Sequence, residues 1–71
     1  MNFQLHMGRV KWFDAKEGYG FISPFNGGDD VFVTSKSIAS TKIKSLFEGQ
    51  NVEFSVTRSS CGITAADVIA Y

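Results

Sequence analysis

Cysteine occurs once in these 71 residues, at Cys61, so the chain cannot close a disulfide on itself. Small domains that dispense with disulfide support belong in reducing compartments, and a cytoplasmic protein is the expectation. Histidine is equally scarce: His6 stands alone near the N-terminus without a ligand-spaced partner, which argues against a metal site. Cys61 has no base near it in sequence, and no nucleophile, base and orienting acid come together, so no catalytic site and no enzyme is expected. Gly18 and Gly20 make a lone G-x-G outside any strand-helix-strand setting, which excludes a dinucleotide site and leaves no cofactor implied. No stretch approaches the ~20 apolar residues of a membrane helix, and residues 1–7 lack a basic start followed by an apolar run. Proline appears only as Pro24, and repeats and low-complexity tracts are absent, so the chain is neither linker nor disordered tail. An excess of charge is missing too. Seven basic and seven acidic side chains cancel, and the positive field of a binder that works through phosphate contacts is not there at whole-chain level.

Aromatic residues are plentiful: seven Phe, two Tyr and one Trp need accounting for in so short a chain. Length sets one domain, 1–71, with 1–7 a variable extension into the first strand. Residues Gly8 to Phe13 form a first β-like run, closed by the polar turn Asp14-Ala15-Lys16-Glu17-Gly18. A second run, Tyr19 to Ser23, ends at Pro24, and Asn26-Gly27-Gly28-Asp29 marks a tight turn, since Asn and Gly tolerate positive φ. Asp30 to Thr34 alternates apolar and polar residues, and Asn51 to Thr57 sets Val52, Phe54 and Val56 on one face; period two means strand. After the turn Arg58 to Gly62, an Ala-rich fifth strand runs from Ile63 to Ile69. The connection Ser35 to Gln50 exceeds a hairpin loop, and Ile38, Ile43, Leu46 and Phe47 are expected to pin it to the body as a one-turn helix plus coil. Five short strands with one long third connection favour a closed barrel over an open sheet with exposed edges. The expected fold is therefore all-β, a five-stranded antiparallel barrel of the oligonucleotide-binding (OB) kind.

Alternation in Gly18-Tyr19-Gly20-Phe21-Ile22 puts Tyr19 and Phe21 on one face, with no bulk opposite them at Gly18 and Gly20. In the third strand Val31 and Val33 share a parity that suits the core and sends Phe32 outward. Parity alone allows the opposite assignment, with the rings inside and the valines outside. The glycines favour the first, provided Val10, Ile22, Val52, Phe54, Val56 and Val68 supply the core. Three rings would then share one exposed surface. Such a surface has no reason in stability, whereas unstacked bases gain about 1–3 kcal/mol each on aromatic side chains.

The segments Val10-Lys11-Trp12-Phe13, Gly18-Tyr19-Gly20-Phe21-Ile22-Ser23-Pro24, Asp29-Asp30-Val31-Phe32-Val33, Phe47-Glu48-Gly49-Gln50 and Ala65-Ala66-Asp67-Val68 resemble, in order and without large gaps, a bacterial cold-shock protein. The second resembles the family's first ribonucleoprotein motif, and Val31-Phe32-Val33 the start of its second. That resemblance implies a barrel binding single-stranded RNA and DNA with little sequence preference, as an RNA chaperone or a regulator of transcription or translation. It implies base stacking by Trp12, Phe13, Tyr19, Phe21 and Phe32, polar contacts by Lys11 and Asp30, and flanking positions at Thr34 and Arg58. Simple alternation places Trp12 beside buried Val10, so its place on the platform requires a local bulge in the first strand.

The chain also departs from the family. Thr34 and Ser35 stand where relatives carry His and Phe, Ile43 where they carry a loop aromatic, Glu17 for a lysine, Asp14 for an asparagine, and Gly62-Ile63 for Gly-Pro. Lost rings and lost positive charge predict weaker binding than in relatives. Lys36, Lys42 and Lys44, with Arg9, Lys11, Lys16 and Arg58, offer a phosphate track, although loop lysines are commonly just solvated. A barrel that kept its shape and turned to protein interaction or regulation is the competing function, supported by zero net charge and opposed by the retained rings. Either a monomer or a strand-exchanged dimer hinged at Ser35 to Gln50 fits.

Overall fold

In a computed structural model, residues 5–39, 45–59 and 62–71 are described. Ile43, Lys42, Lys44 and Cys61 lie outside them. Five strands, β1 (His6–Asp14), β2 (Tyr19–Pro24), β3 (Val31–Thr34), β4 (Asn51–Ser59) and β5 (Gly62–Ala70), close a barrel in the order β1-β2-β3-β5-β4. Antiparallel pairing holds at β1–β2, β2–β3, β1–β4 and β4–β5, but β3 meets β5 in parallel, with Phe32 opposite Thr64. The five-stranded barrel is the expected one, and its single parallel seam is a consequence of strand number: directions cannot alternate all the way round a ring of five.

The core is the expected parity set. Val10, Ile22, Val31, Val33, Val52, Phe54 and Val68 are buried, joined by Ile38, Leu46 and Ala65, with Val56 packed partly against them. The long connection opens with a 3-10 turn, Ser35–Ser37, and is tied down by the Ile38–Val68 bridge and by Ala39 N donating to Val68 O at 2.7 Å. Ile38 and Leu46 do the pinning, whereas Phe47, assigned the same role from its apolarity, is exposed. Phe47 is turned away because it opens a tight turn. Gln50 N donates back to Phe47 O at 3.0 Å, and Gly49, at φ 86, takes the left-handed position such a turn requires.

That turn also shapes β1. Val10 N donates to Gln50 O and Gly49 N donates to Val10 O, both at 2.8 Å, so the Val10 backbone is engaged by the turn. Immediately beyond it the β1–β2 register slips between Val10 and Trp12, leaving Lys11 as the extra residue of a bulge. At the opposite end of β1, Asp14 Oδ1 accepts from Lys16 N and Glu17 N, each at 3.0 Å, and Gly18 N closes onto Asp14 O at 2.7 Å. Asp14 thus performs the turn-capping expected of an Asx residue.

A second irregularity sits in β5. Opposite the shift between Glu53 and Ser55, Asp67 adopts φ 52, a left-handed conformation costing a residue with a Cβ roughly 1–2 kcal/mol. Asp67→Gly should stabilise the barrel by about 1 kcal/mol and Asp67→Val should destabilise it by about as much or more. Equal melting temperatures for the two variants would contradict this. The chain end is fastened nearby: Tyr71 N donates to Asn51 O at 3.0 Å, and the Tyr71 hydroxyl donates to Glu53 Oε1 at 3.0 Å. That hydrogen bond, with some desolvation and the Glu53 charge, raises the phenol above its ordinary pKa.

Candidate nucleic-acid interface

The bulge decides which rings meet. Because Lys11 is the extra residue, Trp12 rotates onto the outer face, where it pairs across the strands with Phe21. Tyr19 and Phe21 follow on the same face of β2, and β3 brings Phe32 opposite Phe21. The four rings form a closed circuit: Trp12–Phe21 and Phe21–Phe32 at 5.5 Å between centroids, Trp12–Tyr19 at 5.8 Å and Tyr19–Phe32 at 5.9 Å. Interplanar angles from 32° to 71° tilt each ring against its neighbours, as the aromatic quadrupole favours. Trp12 and Tyr19 keep 37% and 38% of their surface in water, and Phe21 and Phe32 are half-buried. Outward rings and inward valines settle the parity question.

Phe13 is placed differently. With Trp12 turned out, Phe13 turns in, half-buried and packed against the core. It supports the platform from beneath, lying against Gly20, where an added Cβ would stand 2.9 Å from Phe13 Cδ1. Lys11 and Asp30 meet at the rim, Nζ to Oδ2 at 2.8 Å, both side chains solvated. An exposed pair is worth little to stability, ~0–1 kcal/mol, so its effect is to fix two polar groups beside the rings.

Thr34 lies directly across from Tyr19, and its hydroxyl is 3.3 Å from that of Ser37. Ser35 starts the 3-10 turn and faces Gly18, its Oγ 3.1 Å from where a Cβ on that glycine would be. Arg58 is exposed on β4 opposite Ile63, and Ile63 lines a groove with Phe21, Asp30, Phe32 and Thr64. Arg58 is therefore separated from Phe32 by the intervening strand β5. Among the described residues no cluster of His, Cys, Asp or Glu could hold a metal ion, and no helix is long and apolar enough to cross a membrane. Phe25, to which the sequence assigns no role, is 56% exposed under the Arg9 guanidinium at 5.8 Å. The parity row Tyr19, Phe21, Ser23, Phe25 carries the signal, although β2 itself ends at Pro24, where the sequence ends it.

A closed five-stranded barrel in this strand order, with a ring cluster on its outer wall, is a small barrel of the OB type. Comparison with known proteins fixes the family. The family model described as 'Cold-shock' DNA-binding domain matches residues 6–71. The chain is 52% identical over 63 residues to cold shock-like protein CspG of Shewanella violacea, covering 89% of this chain and 90% of that protein. It is 49% identical over 63 residues to cold shock-like protein CspE of Escherichia coli strain K12, covering 89% and 91%. A solved structure, drosophila Unr CSD456, shares the fold at a TM-score of 0.81 and 17% identity; the match spans 99% of this chain and 28% of that one. The chain belongs to the cold-shock domain family, nucleic-acid-binding proteins that are not enzymes.

Proposed function

We propose that this protein binds single-stranded RNA and DNA by stacking unpaired bases on Trp12, Tyr19, Phe21 and Phe32. The circuit of four rings on the outer wall, each packed against two of the others, carries this reading. A barrel with its core already filled by valines, Ile22 and Phe54 does not need these rings for that core, and every base has a π-face to offer them. Lys11 and Asp30 add polar contacts at the rim, Thr34 borders Tyr19, and Arg58 flanks the groove beside Ile63. The cellular role is that of an RNA chaperone or a regulator of transcription or translation, exercised in the cytoplasm.

Two measurements test this. A short oligothymidine should quench Trp12 fluorescence, and with zero net charge on the protein the affinity should fall only gently as salt rises. Each phosphate neutralised on a single strand adds about 0.7 to the logarithmic salt slope, so a slope equal to many contacts would transfer the main role to the lysines. Absence of quenching at any accessible concentration would favour a protein-interaction barrel.

Binding is weaker here than in relatives, because Thr34 and Ser35 replace two rings at the Tyr19 edge of the platform. Thr34→His puts an aromatic side chain across from Tyr19 and should tighten binding about fivefold, the equivalent of ~1 kcal/mol at the lower end of base stacking. An unchanged dissociation constant in a folded Thr34→His variant would remove Thr34 from the interface.

A further inference from the structure

The outward row of β2 does not stop at the platform. Tyr19, Phe21, Ser23 and Phe25 share one parity, and pairing with β1 continues past the last strand residue, since Phe25 N donates to Met7 O at 3.0 Å. Phe25 is outside the core cluster and outside the apolar residues packed on it, so its ring has no packing role. Arg9, which lies opposite Ser23, reaches over that ring, and the ring is still 56% exposed. Arg9, Lys11, Ser23, Phe25 and Glu48 line an open groove of about 460 Å³. Lys11 belongs both to this groove and, through Asp30, to the platform rim, so the two surfaces are continuous.

We infer that the Arg9–Phe25 groove is an additional nucleotide site that takes one base on the Phe25 ring and its phosphate on Arg9, extending the path of a single strand beyond Phe21. The inference rests on the platform reading above. At ~3.3 Å per residue, Phe25 is about 13 Å along β2 from Phe21. A single strand bridges that distance with at most about four nucleotides at the duplex spacing of ~3.4 Å. Charge favours a polyanion over an apolar partner: of the two cations in the lining Lys11 is paired with Asp30, and Arg9, over the Phe25 ring, is the group placed to meet a phosphate, with Glu48 the one carboxylate in the lining. An Arg-capped ring is also how single-strand grooves combine stacking with cation–π attraction.

The consequence is a dependence on strand length. With oligothymidines of about six and about twelve nucleotides, chosen within the ~4–16-nucleotide site sizes of such barrels, Phe25→Ala should weaken only the longer, about fivefold or more. Arg9→Gln should weaken the longer likewise and lower its salt slope by about 0.7, the share of one phosphate on a single strand. Equal effects at both lengths, or none at either, would overturn the site. A reporter separates this inference from the one beneath it: F25W combined with W12F should be quenched by the longer strand alone, while the unmodified chain reports both strands through Trp12. Quenching of Trp12 with a silent F25W reporter overturns the groove and keeps the platform. The reverse pattern keeps the groove and overturns the platform, and silence of both overturns both. Thermal unfolding of each variant confirms the fold, which none of these exposed substitutions should disturb.

Discussion

Replacing Tyr19, Phe21 or Phe32 singly by alanine is expected to weaken binding of single-stranded oligonucleotide about five- to over a hundredfold. That range corresponds to about 1–3 kcal/mol for each stacked base. The arrangement of the rings refines what the same substitutions do to stability. Each ring touches two others at 5.5–5.9 Å, and an aromatic pair contributes about 0.5–1.5 kcal/mol beyond its buried area. Losing both contacts of one ring therefore costs about 1–3 kcal/mol, a fraction of the roughly 5–15 kcal/mol of a folded domain. The alanine variants should melt earlier than the parent and still fold. Titration at a temperature well below each variant's own transition separates the two effects. Phe13→Ala should show the opposite balance, with the larger loss in stability, because Phe13 packs against the core. If the ring variants unfold while Phe13→Ala stays folded and binds less, the assignment of platform and support is inverted.

Much of this was legible from alternation. Val31 and Val33 on one parity and Phe32 on the other mark β3, parity leaves open which set faces in, and the structure answers with buried, half-buried, buried. Trp12 is where alternation fails. Its local sequence places it beside Val10, and only contact with residues some forty positions away, the Gly49-Gln50 backbone on Val10, accompanies the bulge that turns it out. A period-two reading has no means of registering such a partner. A parallel seam, by contrast, follows from the odd strand count of a closed ring; its place between β3 and β5 comes from the strand order. Phe47, expected to pin the loop, and Phe25, given no role by the sequence, stay exposed for a shared reason: apolar character says that a side chain prefers burial, while the turn it occupies decides whether it gets it. Both rings flank glycine turns and both remain in water.

Gly20 links the fold to the site most tightly, and Gly20→Ala is expected to be the most damaging single-methyl change in the protein. A Cβ built there would stand 2.2 Å from Trp12 O, 2.7 Å from Phe13 Cα and 2.9 Å from Phe13 Cδ1. The two nearest atoms are backbone, so no side-chain rotation relieves them. The strands must separate where Phe13 pairs with Gly20, one step from the Trp12–Phe21 pair that anchors the rings. Overpacking commonly costs about 1–3 kcal/mol and occasionally more. A clash against backbone belongs at the upper end, and at ~4–8 °C per kcal/mol for a domain of this size the melting temperature should fall by about 12–24 °C. Affinity should fall with it, since the same displacement pulls Trp12 away from Phe21. Gly28→Ala is the matching control. Its Cβ would meet only the Asn26 side-chain oxygen at 3.3 Å and Pro24 Cγ at 3.9 Å, with no positive φ to penalise it. Restricting the unfolded chain there stabilises by about 0.4–1 kcal/mol if the turn accepts the methyl. Thermal unfolding and Trp12 quenching of both variants decide the matter. A Gly20→Ala protein that melts with the parent and binds as tightly would show that β1 and β2 are not held at this separation, and that the ring circuit does not depend on it.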